Sequence, residues 1–229
     1  QGDGVEQTQP VRYYVTAVWT TTDPIYSTPT PGLTWERYDQ GYFNDQFNWF
    51  ANYSPSSTGT WSTIYYTYNG GQSNYYSYRI YGFYKATYNG NHRFWMRSDD
   101  SSWLWIGNAG ETVSSLESRR SASNETIDNS GTHSAQSRTS QWINMVAGQY
   151  YPVLVYYGEL NDYYWWQNNE ELKIQVDPPQ SGWTYYADWY QDDSVLIGGG
   201  QPHPQEREGE FDTSIVNGVT TSGVQSSYI

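Results

Sequence analysis

Residues 75–88 and 93–97 form two aromatic-rich runs separated by Asn89-Gly90-Asn91, and this arrangement constrains the fold more than any other feature of the chain. Aromatic and β-branched side chains fit a pleated, half-buried surface, and Asn-Gly tolerates the positive φ of a tight turn. The pattern predicts two strands joined as a hairpin, the clearest such signal in the sequence. Further strands are expected at residues 11–20, where Tyr13, Val15, Ala17 and Trp19 alternate with Tyr14, Thr16 and Val18, and at 103–106, 143–146, 150–157 and 172–176. Ala147-Gly148 joins the third and fourth of these, and Asp177-Pro178-Pro179 stops the last, because proline has no N–H to give a ladder. With 25 Tyr, 12 Trp, 6 Phe and 21 Gly, the chain reads as all-β.

Charge and missing residue types exclude several functions. Eleven Lys+Arg against 24 Asp+Glu leave a net charge of −13. Such a chain repels polyanions, so no nucleic acid is expected as a partner, and no anionic membrane surface. No run of about 18 apolar residues is present, so no membrane insertion is expected. The absence of cysteine removes disulfides, thiolate-ligated zinc, iron–sulfur clusters and thiol nucleophiles. His92, His133 and His203 are the only histidines, and none sits in a triad or His-Glu-x-x-His motif. A non-enzymatic protein is expected. A glycosidase stays as a competitor, because its carboxylate pair leaves no local signature.

Three segments are expected: an N-terminal arm with one strand over 1–31, a strand-rich unit over 32–177, and a Gly/Pro-rich acidic extension over 178–229. Residues 111–141 are polar and nearly free of aromatics, which predicts a long loop of the kind that usually carries function. Few lysines with many Tyr, Trp, Asn and Gly suit an extracellular, cell-surface or virion-surface location. Asn52-Tyr53-Ser54 and Asn124-Glu125-Thr126 are glycosylation sequons, usable only on a eukaryotic secretory route.

The constellation richest in chemistry is Ser98-Asp99-Asp100-Ser101-Ser102-Trp103-Leu104-Trp105-Ile106-Gly107. Calcium takes six to eight oxygen ligands, carboxylates among them. Adjacent side chains on a strand point to opposite faces, so Asp99 and Asp100 reach one ion only where the backbone leaves extended geometry. On residue types alone, two solvated turn aspartates are the favoured reading. Trp103 and Trp105 share one strand face and read as core, with Leu104 and Ile106 on the other.

The order of motifs resembles the PA14 superfamily, specifically the calcium-dependent lectin branch of flocculin and GLEYA-type adhesins and their viral fibre relatives. The matching blocks are Gly41-Tyr42-Phe43-Asn44-Asp45, then Gly82-Phe83-Tyr84 with Asn89-Gly90-Asn91-His92-Arg93-Phe94. Ser98-Asp99-Asp100 with Leu104-Trp105-Ile106-Gly107 follows, then Ala147-Gly148-Gln149-Tyr150-Tyr151-Pro152 and Tyr157-Gly158-Glu159. The resemblance implies an antiparallel β-sandwich with a cis Asp99-Asp100 peptide and Ca2+ as cofactor, bound by Asp99, Asp100 and Asn161. It further implies a glycan bound through that ion beside a variable loop of Tyr163, Tyr164 and Trp165. Asp162 is an extra candidate ligand, and Asn124, Asn129 and His133 resemble the viral relatives. On its own residue type, His133 reads as a hydrogen-bonded loop residue before a ligand.

These readings converge on a calcium-dependent module that binds cell-surface glycans. Aromatic faces cover the C–H surface of sugars, while carboxylates and amides bind hydroxyls. The alternative is a structural component of a virion, fibre or surface assembly, with self-assembly or attachment through the termini.

Overall fold

The computed structural model describes residues 29–68, 75–160 and 170–191, together with the backbone of the short strands at 215–216 and 219–220. The strand expected over 11–20 lies outside the described residues. In chain order the strands are β1 (Leu33–Tyr38), β2 (Ser57–Trp61), β3 (Tyr65–Tyr68), β4 (Tyr76–Lys85), β5 (Gly90–Asp99) and β6 (Ser102–Ile106). A helix, α1 (Val113–Arg119), precedes β7 (Ile127–Asn129), β8 (Gln136–Thr139), β9 (Ile143–Met145), β10 (Tyr150–Glu159), β11 (Glu170–Asp177) and β12 (Trp189–Tyr190). Among the described residues, β13 (Ile215–Val216) pairs with β14 (Val219–Thr220) alone. No described helix is long and apolar enough to cross a membrane.

The fold is an antiparallel β-sandwich. One sheet runs β2-β1-β4-β10-β6-β7 with β12 also on β4, and the other runs β3-β11-β5-β8 with β9 also on β5. Strand alternation sets the core between them. Tyr78, Ile80 and Tyr84 of β4 and Val153, Val155 and Tyr157 of β10 face Phe94 and Met96 of β5 and Leu172, Ile174 and Val176 of β11. The other side of the first sheet is covered as well. Trp103 and Trp105, stacked at 5.8 Å, join Leu154 and Tyr156 beneath Phe43, Phe50 and Leu116. The tryptophans are therefore core, while Leu104 turns to the inter-sheet side.

The expected hairpin at Asn89-Gly90 is not one. β4 and β5 enter different sheets, and residues 86–89 carry the chain across the core. Ala86 exchanges hydrogen bonds with the turn before β10, its N–H donating to Gln149 O at 3.0 Å and its carbonyl accepting from Gly148 at 2.7 Å. Asn89 Oδ1 accepts from Ala147 N–H at 2.9 Å. Once this corner is bonded to the 146–149 turn, the apolar faces of β4 and β5 oppose each other instead of lying side by side.

The polar stretch 111–141 is also more regular than a loop, since it holds α1, β7 and β8. Thr112 caps α1 by accepting from Ser115 N–H, and Val113 and Leu116 bury one side of it. β7 and β8 are partly solvated edge strands, which explains their polar composition.

Residues 178–191, assigned to the extension on sequence, pack back onto the sandwich. Trp189 is buried against Tyr84 at 5.4 Å. Gly82 is required there, because a Cβ would lie 2.2 Å from Tyr190 O. Gly32 N–H donates to Trp189 O at 2.7 Å and Gln191 N–H to Thr30 O at 3.0 Å, so the two ends of this unit run side by side.

Arg79 ties α1 to the sheet. It reaches Glu117 through Nε at 2.8 Å and Nη2 at 2.5 Å, and Glu36 through Nη1 at 3.0 Å. Tyr156 donates to Glu117 at 2.8 Å. Burial alone would raise the Glu117 carboxyl, but the Arg79 hydrogen bonds and charge override it and hold the group below its ordinary value. A depressed carboxylate contributes stability above its unfolded pKa, lost as pH falls through the folded value. Wild-type denaturant midpoints should therefore drop below about pH 4.5, and Glu117→Gln should flatten this loss while lowering neutral-pH stability by about 3 kcal/mol.

Candidate metal centre

The site forms where strand ends meet at one pole of the sandwich. β5 ends at Asp99, opposite Glu171 of β11. β6 starts at Ser102, opposite Tyr157 of β10. Between them the Asp99-Asp100 peptide is cis. Ligand atoms of Asp99, Asp100 and Glu159 lie within 4.8 Å of one another.

The loop before β8 and the end of β10 hold both aspartates. Asp99 Oδ2 accepts from Ala135 N–H at 3.0 Å. Asp100 Oδ1 accepts from His133 N–H at 2.7 Å and Oδ2 from Leu160 N–H at 2.9 Å. The buried Tyr157 hydroxyl donates to Asp99 O at 2.6 Å and lies 3.2 Å from Glu159 Oε2. Nearby, Tyr76 donates to Glu170 Oε2 at 2.6 Å.

This crowding of acids decides the charge state. Glu159 is buried, and desolvation, with the charges of Asp100, Glu170 and Asp99, pushes its carboxyl up to about 9. At neutral pH it therefore keeps its proton in the absence of a cation. A hard divalent ion removes that repulsion and takes the proton's place. The donors are all oxygens, with no imidazole or thiolate among the three, which fits calcium or magnesium better than zinc or copper. Asp99, Asp100 and Glu159 would hold it.

The expected residues fare differently. Asp99 and Asp100 converge. Asn161, Asp162, Tyr163, Tyr164 and Trp165 lie outside the described residues. His133 touches Asp100 through its backbone N–H, while its ring nitrogens lie 3.0 Å from the carbonyls of Ser134 and Asn129. Its side chain orders its own loop. Asn124 is not brought to the site. Its amide accepts from Ser121 N–H and donates to Arg119 O, both at 2.8 Å, closing the turn after α1. The β6–β7 register, Ser102 opposite Asn129 and Leu104 opposite Ile127, directs it away from Asp100.

Sequence reasoning left out Glu159 as a ligand, although it stands in the Tyr157-Gly158-Glu159 block. It also missed Asp45 and the structural part played by Asn129. Asp45 accepts from Trp103 Nε1 at 2.7 Å, from Gly131 N–H at 3.0 Å and from the Ser101 hydroxyl. Asn129 Nδ2 donates to Ser98 Oγ at 2.7 Å, beneath the aspartates. Both are polar groups in loop or edge segments, and only the folded chain shows what they bond.

A PA14 domain family model matches residues 29–182. No curated protein matches the sequence. Among solved structures, an anti-sigma factor domain-containing protein is similar at TM-score 0.55 and 15% identity, covering 75% of this chain and 51% of that one. The epithelial adhesin 6 A domain from Candida glabrata, in complex with Galβ1-3GlcNAc, is similar at TM-score 0.54 and 15% identity, covering 74% and 91%. A PA14 sugar-binding domain from an RTX adhesin follows at TM-score 0.51 and 13% identity, covering 71% and 99%. The chain spans about half the length of the anti-sigma factor domain-containing proteins that it matches. At these identities the likeness is one of fold.

Asp45→Ala would leave Trp103 Nε1 and Gly131 N–H without their acceptor. The expected result is a loss of about 2–3 kcal/mol in denaturant unfolding, with faster amide exchange at Gly131 than in the wild type.

Proposed function

The chain belongs to the PA14 domain family, and from that premise we propose that it is a calcium-dependent carbohydrate-binding adhesion module. The observation that carries this reading is the convergence of Asp99, Asp100 and Glu159 within 4.8 Å. Buried carboxyl groups packed this closely favour a cation over mutual repulsion. Asn161 is a further proposed ligand. It follows Leu160, whose N–H is bonded to Asp100.

A bound calcium ion would supply coordination positions for vicinal sugar hydroxyls. Asp162, Tyr163, Tyr164 and Trp165 are proposed to set which sugar is accepted. His133 contributes by bonding Asp100, not by direct contact. The solved relatives whose descriptions name a disaccharide ligand or sugar binding support glycans as the ligand class. The reading assigns no catalytic step.

On this reading the protein works outside the cell, on a cell or virion surface. Sites of this kind gain strength through several copies held together, so attachment to a larger assembly belongs to the proposal. The segments 1–31 and 178–229 are proposed to serve that attachment, with 178–191 also packing on the sandwich. The competing reading, a structural part of a virion, fibre or surface assembly, predicts neither ion nor glycan binding.

Calcium titration by calorimetry should show one site in the wild type and none in Asp99→Ala/Asp100→Ala. Glu159→Gln should weaken calcium binding by about tenfold or more. A glycan array should give signals that chelator removes and that the double variant lacks. If wild-type protein of native circular dichroism binds neither calcium nor glycan, the structural reading replaces this one.

A further inference from the structure

The opposite pole of the sandwich carries a feature that the metal centre does not explain. Two adjoining clefts of about 440 Å³ each share Pro178 and Ser181. They open between the corner after β4 and the segment that follows β11. Large aromatic rings stand on them instead of packing inside, with Trp142 51%, Trp183 40% and Tyr186 85% exposed.

Two of these rings are held in fixed relation. The Arg93 guanidinium lies 4.3 Å from the Trp142 ring centroid and 5.0 Å from that of Trp183. Asp177 Oδ2 pairs with Arg93 at 3.4 Å. A cation between two indoles accounts for their positions, yet both keep open surface after that contact. Orienting the rings in advance lowers the entropy lost on binding a ligand.

Amides stand around the rings. The Asn91 and Gln180 side chains have no hydrogen-bond partner among the described residues, and Asn89 uses only its Oδ1. Each amide offers a donor and an acceptor together, the pairing that adjacent sugar hydroxyls require. Arg93 is already paired, and Asp188 lines one cleft, so an anion is disfavoured.

We infer that this pole is a second saccharide site that uses no metal. The open faces of Trp142 and Trp183 take the C–H faces of neutral pyranose rings, and Asn89, Asn91 and Gln180 bond their hydroxyls. β5 runs from Gly90 at this pole to Asp99 at the other, so the two sites stand roughly 30 Å apart at the strand rise. The inference does not rest on the calcium reading.

The test is saturation-transfer NMR on the full chain with lactose, cellobiose and maltose, in EDTA throughout. At least one disaccharide should bind the wild type, and bind Asp99→Ala/Asp100→Ala equally well. Trp142→Ala/Trp183→Ala should weaken it about tenfold per ring removed, and Trp142→Phe/Trp183→Phe should restore part of the loss. Asn91→Ala/Gln180→Ala, exposed positions that leave the core intact, should weaken it as well and decides the matter if the tryptophan variant unfolds. No binding in EDTA overturns the inference, as does binding that survives the substitutions. Self-association in sedimentation that the tryptophan substitutions abolish, without sugar binding, would assign this face to a second copy of the chain and overturn it too.

Discussion

All ten residues of β10, Tyr150–Glu159, are buried, and the rest of the molecule depends on that double burial. A strand in an ordinary sandwich has one face in the core and one in water. Here the odd-numbered residues Val153, Val155 and Tyr157 fill the space between the sheets, while Leu154 and Tyr156 support a second apolar layer under Phe43 and Phe50. β10 pairs along its whole length with β4 and over five residues with β6. It therefore fixes both neighbours and both cores, and the aromatic content of the chain reflects two layers to fill.

The carboxylate cluster follows from the same strand. Because β10 is held along its length, Glu159 at its end is carried into a buried position beside Asp99 and Asp100. A glutamate on a mobile loop would turn to water. This one cannot, and burial with the neighbouring charges pushes its carboxyl up to about 9. Tyr157, two residues earlier on the same strand, bonds the Asp99 carbonyl. One strand thus supplies both the rigidity and a share of the donors.

The all-β character and the aromatic core were legible in the sequence, because alternation is a local signal, whereas the sandwich and the paired role of Asp99 and Asp100 came from the order of motifs that the chain shares with its family. Trp103 and Trp105 were placed correctly by period alone. The corner at Asn89-Gly90 was not, since a turn of this composition serves a hairpin or a crossing between sheets equally well. The bonding of Ala86 and Asn89 to the 146–149 turn separates the two. β7 and β8 escaped notice because edge strands need few apolar residues. Glu159 and Asp45 were hidden for another reason: what makes each matter is a partner some 55 or more residues away in the chain, which no local pattern records.

The hydrogen bonds joining Thr30 and Gly32 to Gln191 and Trp189 bring the two ends of the unit together at the pole away from Asp99. Among the described residues, a pull on the chain from both sides falls first on this short ladder. The bonds are loaded one after another, as in an opening zipper, before any tension passes through β4 to β10 and the carboxylate cluster. The far pole would then stay at mechanical rest while the two ends are under load, so a ligand held by the proposed site would be released by its own chemistry and not by deformation of the domain.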